Sequence, residues 1–412
     1  MANVIIINPY NKFPDSPRWD FELIEYNKFI DHNNFDVTYI VDERGESGLP
    51  QDISRYNKVL VDNLSDLQAL QSTLEGVIAQ LGEVYRVISF SEGHMDMLAQ
   101  LRERHNIPGP KVAENQRARD KLVMKEIIAN AGLRAPHFIA IDHSSRDEID
   151  DFVNTVGLPI ILKPTDGASS VGVQKLDSLA CLEQALNKLE QGNWELEEYI
   201  AGEVLHIDGL IDLHGKVCVL IPSVYINTLF EYLSGVPTGS YLLPPNTIRY
   251  ENINKFSEQC LTALDFKGCP FHLELIEKAD GELVFLENAA RVAGADIPYM
   301  IADCTGINLF EQWVEMIFGK QPELPTWQFN YGAWLLFGLP PQLPCTVKDV
   351  SSFIDSVPTL YKELIPQVGS QVDKGRGYCS LQAGRFMFKG EQFEDVQRDV
   401  QLVLDNFDFQ IC

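Results

Sequence analysis

Two glutamates, Glu274 and Glu287, set the first constraint on what this chain can do. They sit in apolar, strand-like runs on either side of Asp280-Gly281, a dipeptide that accepts the positive φ angles of a tight hairpin. With Asp280 and Gly281 as a two-residue turn, Ala279 pairs with Glu282, and counting outward sets Glu274 directly opposite Glu287 on one face. Two carboxylates about 5 Å apart repel by roughly 3 kcal/mol at an effective dielectric of about 20, so the pattern calls for positive charge between them. Hard oxygen donors without a cysteine or a histidine pair suit Mg²⁺, held by one or two carboxylates with phosphate oxygens as further ligands; Mn²⁺ suits the same shell. Arg291, four residues past Glu287, could neutralise the pair instead, and a one-residue slip would separate it.

A second group of residues speaks for phosphate. The apolar run Ile160-Ile161-Leu162 ends in Lys163-Pro164 and leads into Thr165-Asp166-Gly167-Ala168-Ser169-Ser170-Val171-Gly172. Small residues let backbone N–H groups come close to phosphate oxygens, serine hydroxyls add donors, and Lys163 adds a point charge. The order of a Walker A loop is absent. Further on, Leu196-Glu197-Glu198-Tyr199-Ile200 precedes Glu203: a strand edge can read a purine through its backbone, and a carboxylate can hold ribose hydroxyls. Glu203 is the ribose candidate; solvated surface charge is the other reading of these three glutamates. His206 and His272 lie in apolar surroundings, as hydrogen-bonded core residues or as substrate contacts.

Composition limits the partners. A formal charge of −26 over 412 residues disfavours nucleic acid and anionic membrane, which such a surface repels. The eight cysteines, Cys181, Cys218, Cys260, Cys269, Cys304, Cys345, Cys379 and Cys412, are scattered without a CxxC pair, as expected of reduced thiols in a cytoplasmic protein. No basic leader precedes Val4-Ile5-Ile6-Ile7, and no apolar run approaches a membrane span.

The elements that must carry these residues follow from periodicity. Strands over 3–8, 36–41, 57–61 and 86–90 alternate with helices over 19–31 and 66–81, the rhythm of a parallel α/β domain. Asn8-Pro9-Tyr10 after the first strand replaces the dinucleotide fingerprint GxGxxG. A helix starting at Asn115 carries Arg117, Arg119, Lys121 and Lys125 to Gly132. Strand-rich, α+β character dominates from 204 to 288, and Gly235, Pro237, Gly239, Pro244 and Pro245 suggest a long mobile loop over 234–246 that could exclude water. The fold class is α/β, with α+β character in the central part, and four regions emerge: 1–114, 115–200, 201–325 and 326–412.

Taken in order, Lys121, Lys163-Pro164 with Ser169-Ser170-Val171-Gly172, Glu197-Glu198-Tyr199-Ile200 with Glu203, and Glu274 with Glu287 and Arg291 resemble the ATP-grasp superfamily over about residues 115–300. The run Arg291-Val292-Ala293-Gly294-Ala295-Asp296-Ile297-Pro298 and the His272-x-Glu274 spacing look like its L-amino acid ligases. The resemblance implies an N-terminal domain, a small ATP-binding subdomain, a large subdomain with the metal and substrate site, and a C-terminal lid. It implies that Lys121 and Lys163 contact ATP phosphates under Ser169, Ser170 and Gly172. Glu197, Glu198 and Ile200 would line adenine, and Glu274 and Glu287 would ligate one or two Mg²⁺ ions. Arg291 and Lys163 would be catalytic, and His206, His272, Arg291, Gly294 and Asp296 would meet substrate. Small carboxylate and amine substrates, probed as amino acids, would be joined through an acyl phosphate, and a homodimer is compatible with the family. One departure stands out: the family pattern Glu-x-Asn-x-Arg is here Glu287-Asn288-Ala289-Ala290-Arg291, which puts the second metal in question, and Asn288 faces away in a regular strand. Three other readings remain: the same chemistry on a modified acid in peptide-antibiotic synthesis, a biotin-dependent carboxylase, for which no biotinyl-lysine motif is present, and a non-catalytic ATP-binding regulator.

Overall fold

The computed structural model describes residues 1–412 except 13–21, 142–143, 168–169, 190–191, 327–330 and 374–381. Its N-terminal sheet is parallel, in the spatial order Asn57–Leu60, Phe35–Val41, Ala2–Asn8, Val84–Ser89. Val4 to Ile7 are all fully buried, as a continuous apolar run must be when both faces of a parallel sheet are covered. The helix Leu67–Leu81 packs on one face through Leu70, Leu74 and Ile78. Of the helix expected over 19–31, residues 19–21 lie outside the described residues, and the remainder holds only the single turn Tyr26–Phe29.

The continuous helix expected from Asn115 is broken. Val112–Gln116 ends in a turn, and a new helix, Lys121–Asn130, starts where the Asp120 carboxylate accepts from the N–H groups of Leu122 and Val123, at 2.9 and 3.3 Å. This N-cap needs non-helical backbone at Asp120, and the break sends the Lys121 N–H to the Thr165 carbonyl at 3.0 Å. Lys121 thereby begins a helix beside the loop that follows Lys163. A small antiparallel sheet of Phe138–Ala140, Trp194–Glu198, Ile160–Pro164 and Gln174–Leu176 supports that loop.

The central sheet has eight strands, ordered Leu283–Ala289, Cys269–Glu277, Glu203–Ile211, Val217–Asn227, Thr238–Leu242, Tyr331–Phe337, Gly384–Gly390, Leu360–Leu364. The loop expected over 234–246 is therefore wrong in its middle: Thr238–Leu242 is a buried interior strand. Its glycine marks close packing, since a Cβ on Gly239 would come to 2.2 Å from the Trp334 carbonyl oxygen, the kind of approach that keeps a strand position glycine. Three strands from the 326–412 segment continue this same sheet. A buried cluster links Val4, Ile6 and Tyr39 through Met300 and Ile301 to Trp334 and Met387, so the parallel and central sheets share a core. No helix among the described residues is long and apolar enough to cross a membrane.

The hairpin register contains two departures that cancel. Lys278 and Glu282 close a three-residue turn, Ala279-Asp280-Gly281, with N–H···O bonds of 2.9 Å from Lys278 to Glu282 and from Gly281 to Lys278. That turn pairs Glu277 with Leu283 and would leave Glu274 opposite Leu286. A bulge at Leu286 restores the lost residue, and Glu274 faces Glu287 after all. Bulges re-aim side chains near functional sites, and here Leu286 and Glu287 both line the same cavity.

Candidate active site

Glu274 and Glu287 open into a cavity of about 470 Å³ bounded by Lys121, Lys163, Ser170, His272 and Arg291. Each glutamate has its own partner. Lys121 Nζ lies 3.1 Å from Glu287 Oε2 and donates to the Gly167 carbonyl at 2.6 Å. On Glu274, the Tyr225 hydroxyl donates at 3.1 Å and His272 Nε2 lies at 3.5 Å. Burial pushes the Glu287 carboxyl up, but Lys121 and Lys163 more than reverse this and hold it at about 2. Glu287 is therefore an ionised carboxylate donor, the oxygen ligand type hard divalent ions take, and no cysteine lines this cavity among the described residues.

Beneath the cavity lies a four-membered ion cluster. Lys163 Nζ donates to Glu197 Oε1 at 2.9 Å, and Lys125 Nζ donates to Glu195 at 2.6 Å and to Glu197 at 2.5 Å. Burial disfavours the Lys163 charge, yet Glu197, Glu195 and Glu287 more than offset it and raise its pKa above the ordinary ammonium value. Glu195 is itself pushed up by burial, while Lys125 and Lys163 overcome burial at Glu197 and hold it down. The result is a permanently charged ammonium fixed at the mouth of a small-residue loop.

Behind the glutamates, Asp208 is fully buried between two histidines, at 2.7 Å from His206 Nδ1 and 2.8 Å from His272 Nδ1. Burial would raise the Asp208 pKa, but His272 and His206 hold it well below the usual range. His272 in turn is lowered by burial and raised further by Asp208 and Glu274, to about 9. Both Asp208 oxygens are engaged, so the trio works as a brace that aims the outer edge of His272 at Glu274. At the rim, Arg291 Nε meets Glu92 Oε2 at 2.5 Å, and Arg119 binds the other Glu92 oxygen. Burial lowers the Arg291 pKa, but Glu92, with help from Glu287 and Tyr225, more than offsets this and raises it.

The structure brings together Lys121, Lys163, Ser170, Glu197, Glu198, Ile200, His272, Glu274, Glu287 and Arg291. Others fall elsewhere. Ser169 lies outside the described residues. Gly172, with φ of 80°, is turned toward Pro164 and Trp194. The Glu198 carboxylate is taken by Arg134, at 2.7 and 2.8 Å. Glu203 is not at the cavity: Gly202 and Val204 line it, and strand alternation sends the Glu203 side chain outward to Arg249 at 2.8 Å. His206 is fully buried behind His272. Gly294 is exposed, and Asp296 is buried in an ion pair with Arg385, so neither reaches the cavity. Asn288 does face away, buried, with no partner for either amide atom among the described residues. Sequence reasoning passed over Lys125 and Glu195, although their spacings from Lys121 and Glu197, four and two residues, put each pair on one face. Nothing local marked Glu92, which is 199 residues from Arg291.

Residues 156–298 match the model of the ATP-grasp domain. An L-arginine-specific L-amino acid ligase from Bacillus subtilis is 25% identical over 362 residues, covering 84% of this chain and 85% of that protein. The alanine–anticapsin ligase of Bacillus subtilis is 23% identical over 66% of this chain and 60% of its own length. The crystal structure of an L-amino acid ligase from Bacillus licheniformis superposes with a TM-score of 0.70 over 100% of this chain and 98% of that one, at 17% identity. In sequence and in fold the chain is therefore similar to ATP-grasp ligases. The ATP-grasp match starts just before the strand that carries Lys163 and ends just after Arg291, so it spans the small-residue loop, both glutamates and the Lys163, Glu195 and Glu197 of the ion cluster, while Lys121 and Lys125 precede it.

Proposed function

We propose that this ligase joins the carboxylate of one amino acid to the amine of another, through an acyl phosphate, releasing ADP and phosphate. The observation that carries the reading is the opposed pair Glu274 and Glu287, each with its own charge partner, in one cavity with Lys121, Lys163 and Arg291. The similarity to amino-acid ligases supports the substrate class.

In this reading ATP phosphates lie against Lys121, Lys163 and the loop around Ser170, while the backbone of Glu198 to Ile200 borders the adenine. Glu274 and Glu287 would hold Mg²⁺, and Ala289 in place of asparagine favours one firmly held ion. Held by these two carboxylates, the ion would supply positive charge that offsets the negative charge developing at the phosphates. The substrate carboxylate attacks the γ-phosphorus, and ADP leaves. The uncharged amine then attacks the acyl carbon, the acyl C–O bond breaks so that phosphate leaves with that oxygen, and the nitrogen releases a proton to solvent. Arg291, fixed by Glu92, stabilises the transferring phosphoryl group, and His272, aimed by Asp208, stands beside the reacting carboxylate. Such groups act by being in place before charge develops.

The test is phosphate release from Mg·ATP across a matrix of amino-acid pairs, with mass spectrometry of the products and Glu287→Gln as control. Pair-dependent release with a dehydrated adduct is expected, reduced on the order of 10³-fold or more in the variant. ATP turnover without adduct for every pair, or undiminished product in the variant, would sink the reading.

A further inference from the structure

Arg291 also borders a second cavity, of about 280 Å³, on the side facing the parallel sheet. Its floor is the edge strand Val84–Ser89, and Phe90, Leu98, Phe266, Trp313 and Ile317 are among its walls. The volume is near the lower end of ligand pockets, which run from about 300 Å³, and suits something the size of an amino acid.

Besides Arg291, two guanidiniums line this cavity, Arg86 and Arg102. Arg86 is committed to backbone: its Nε and Nη2 donate to the Ile317 carbonyl at 3.1 and 2.9 Å, and Nη1 donates to the Tyr85 carbonyl at 2.8 Å. Ile317 ends the helix Leu309–Ile317, where a cation is favourable. Arg102 makes one hydrogen bond, from Nη2 to the Val87 carbonyl at 3.0 Å. Gly109 lies over it so closely that a Cβ there would come to 3.0 Å from Arg102 Cδ and Nε. Among the described residues neither arginine forms an ion pair with a carboxylate; burial, and for Arg102 the repulsion of Arg86, lower both pKa values, that of Arg102 to about 10.

The carboxylates that line the cavity are engaged with other groups. Glu92 binds Arg291 and Arg119, Glu114 accepts from the Lys111 N–H at 2.7 Å, and Asp265 lies 3.3 Å from Lys267. In a chain of net charge −26, a desolvated positive pair without a counter-ion is unusual, because an opposite charge could be recruited at little cost. An arginine fork with free donors matches a carboxylate.

We propose that this cavity is the acceptor subsite of the ligase and takes an amine substrate whose carboxylate, carried on an apolar stem remote from the reacting nitrogen, binds Arg102. The proposal rests on the ligase reading for the word acceptor, and on the cavity alone for the anion. Arg291 lines both cavities, which puts the reacting nitrogen next to the phosphoryl site, while the aromatic and aliphatic walls cover the stem.

Two measurements on the full chain test it. First, the fluorescence of Trp313, which lines the cavity, is followed on adding 5-aminopentanoate or pentylamine, with Trp313→Phe assigning the signal. Saturable change with the first and none with the second is expected, with at least tenfold weaker binding in Arg102→Gln and partial recovery in Arg102→Lys. Second, kcat/KM is compared for the same two amines with a fixed acid partner. The carboxylate-bearing amine should be favoured at least tenfold, a preference that Arg102→Gln loses through acceptor KM, with the KM for ATP unchanged. Equal response to both amines, or equal affinity in folded Arg102→Gln, overturns the anion site. Binding without any ligation by the wild type leaves the anion site standing and overturns the ligase reading.

Discussion

On the phosphoryl side of Arg291 the charges are matched within the chain: two lysines meet Glu195 and Glu197, Lys121 meets Glu287, and a histidine meets Glu274. On the other side, among the described residues, Arg86 and Arg102 hydrogen-bond to carbonyls and meet no carboxylate, and Arg86 also lies over the Tyr85 ring at 4.2 Å. The difference separates two ways of preparing a cavity for an anion. The first holds its cations rigidly with carboxylates and can still accept a highly charged ligand whose charge is shared with metal. The second leaves a cation without a counter-ion and takes whatever monovalent anion completes it. The matched side should be sensitive to loss of any single ion, because each removal strands a buried charge.

Lys125→Met should show that sensitivity most. Lys125, Glu195 and Glu197 are all buried, and Lys125 touches both carboxylates. Removing the ammonium strands a carboxylate in low dielectric and should cost about 3–5 kcal/mol by urea unfolding. Adding Glu195→Gln to the variant should recover much of that loss, since the cluster then again holds one ammonium, Lys163, for one glutamate, Glu197. If the single variant is as stable as the wild type, the cluster is not the rigid base described here. Arg102→Gln on the unmatched side strands no carboxylate and should cost less than half as much.

Glu92 stands at the boundary, and its effect should be smaller and pH-dependent. Burial raises its pKa, but Arg291 and Arg119 more than offset this and hold it below the ordinary 4.5. The folded carboxyl thus binds its proton less tightly than the unfolded one. Its stabilisation is present above about pH 4.5 and is lost as pH falls through the lower folded value. Glu92→Gln should therefore be less stable than wild type by about 1–2 kcal/mol at pH 7, with the gap closing below pH 4.5. A gap that does not narrow at all as the pH is lowered from 7 to well below 4.5 would mean that shape, not charge, is what Glu92 supplies.

These contrasts also mark what the sequence could tell. The strand of Lys163, the opposed glutamates and the parallel N-terminal sheet were legible because local period and turn chemistry specify them. Even so, the glutamate pairing was reached by a two-residue turn that the chain does not make, and only the bulge at Leu286 compensates. The strand Thr238–Leu242 was misread because glycine signals both a flexible turn and close strand packing, and only the position of Trp334 decides between them. Glu92 and Arg102 were not legible, because their importance comes from contact between regions far apart in sequence. Asp208 was hidden for another reason: one buried aspartate in an apolar strand has no local signature until His206 and His272 are seen on both of its oxygens.

The smallest effect belongs to a residue outside both cavities. Glu203 follows the strand edge that the sequence associates with ribose, yet its side chain is 66% exposed and pairs with Arg249, which also holds Glu277. Exposed pairs contribute about 0–1 kcal/mol, and Arg249 keeps a second carboxylate when Glu203 is lost. Glu203→Gln should therefore change stability by less than about 0.5 kcal/mol and leave the KM for ATP within about twofold, as expected for a group that makes no direct hydrogen bond to the ligand. A fivefold or larger rise in that KM, without loss of stability, would show that Glu203 turns inward when ATP binds, and that the strand start at Glu203 repacks to bring it to the matched cavity.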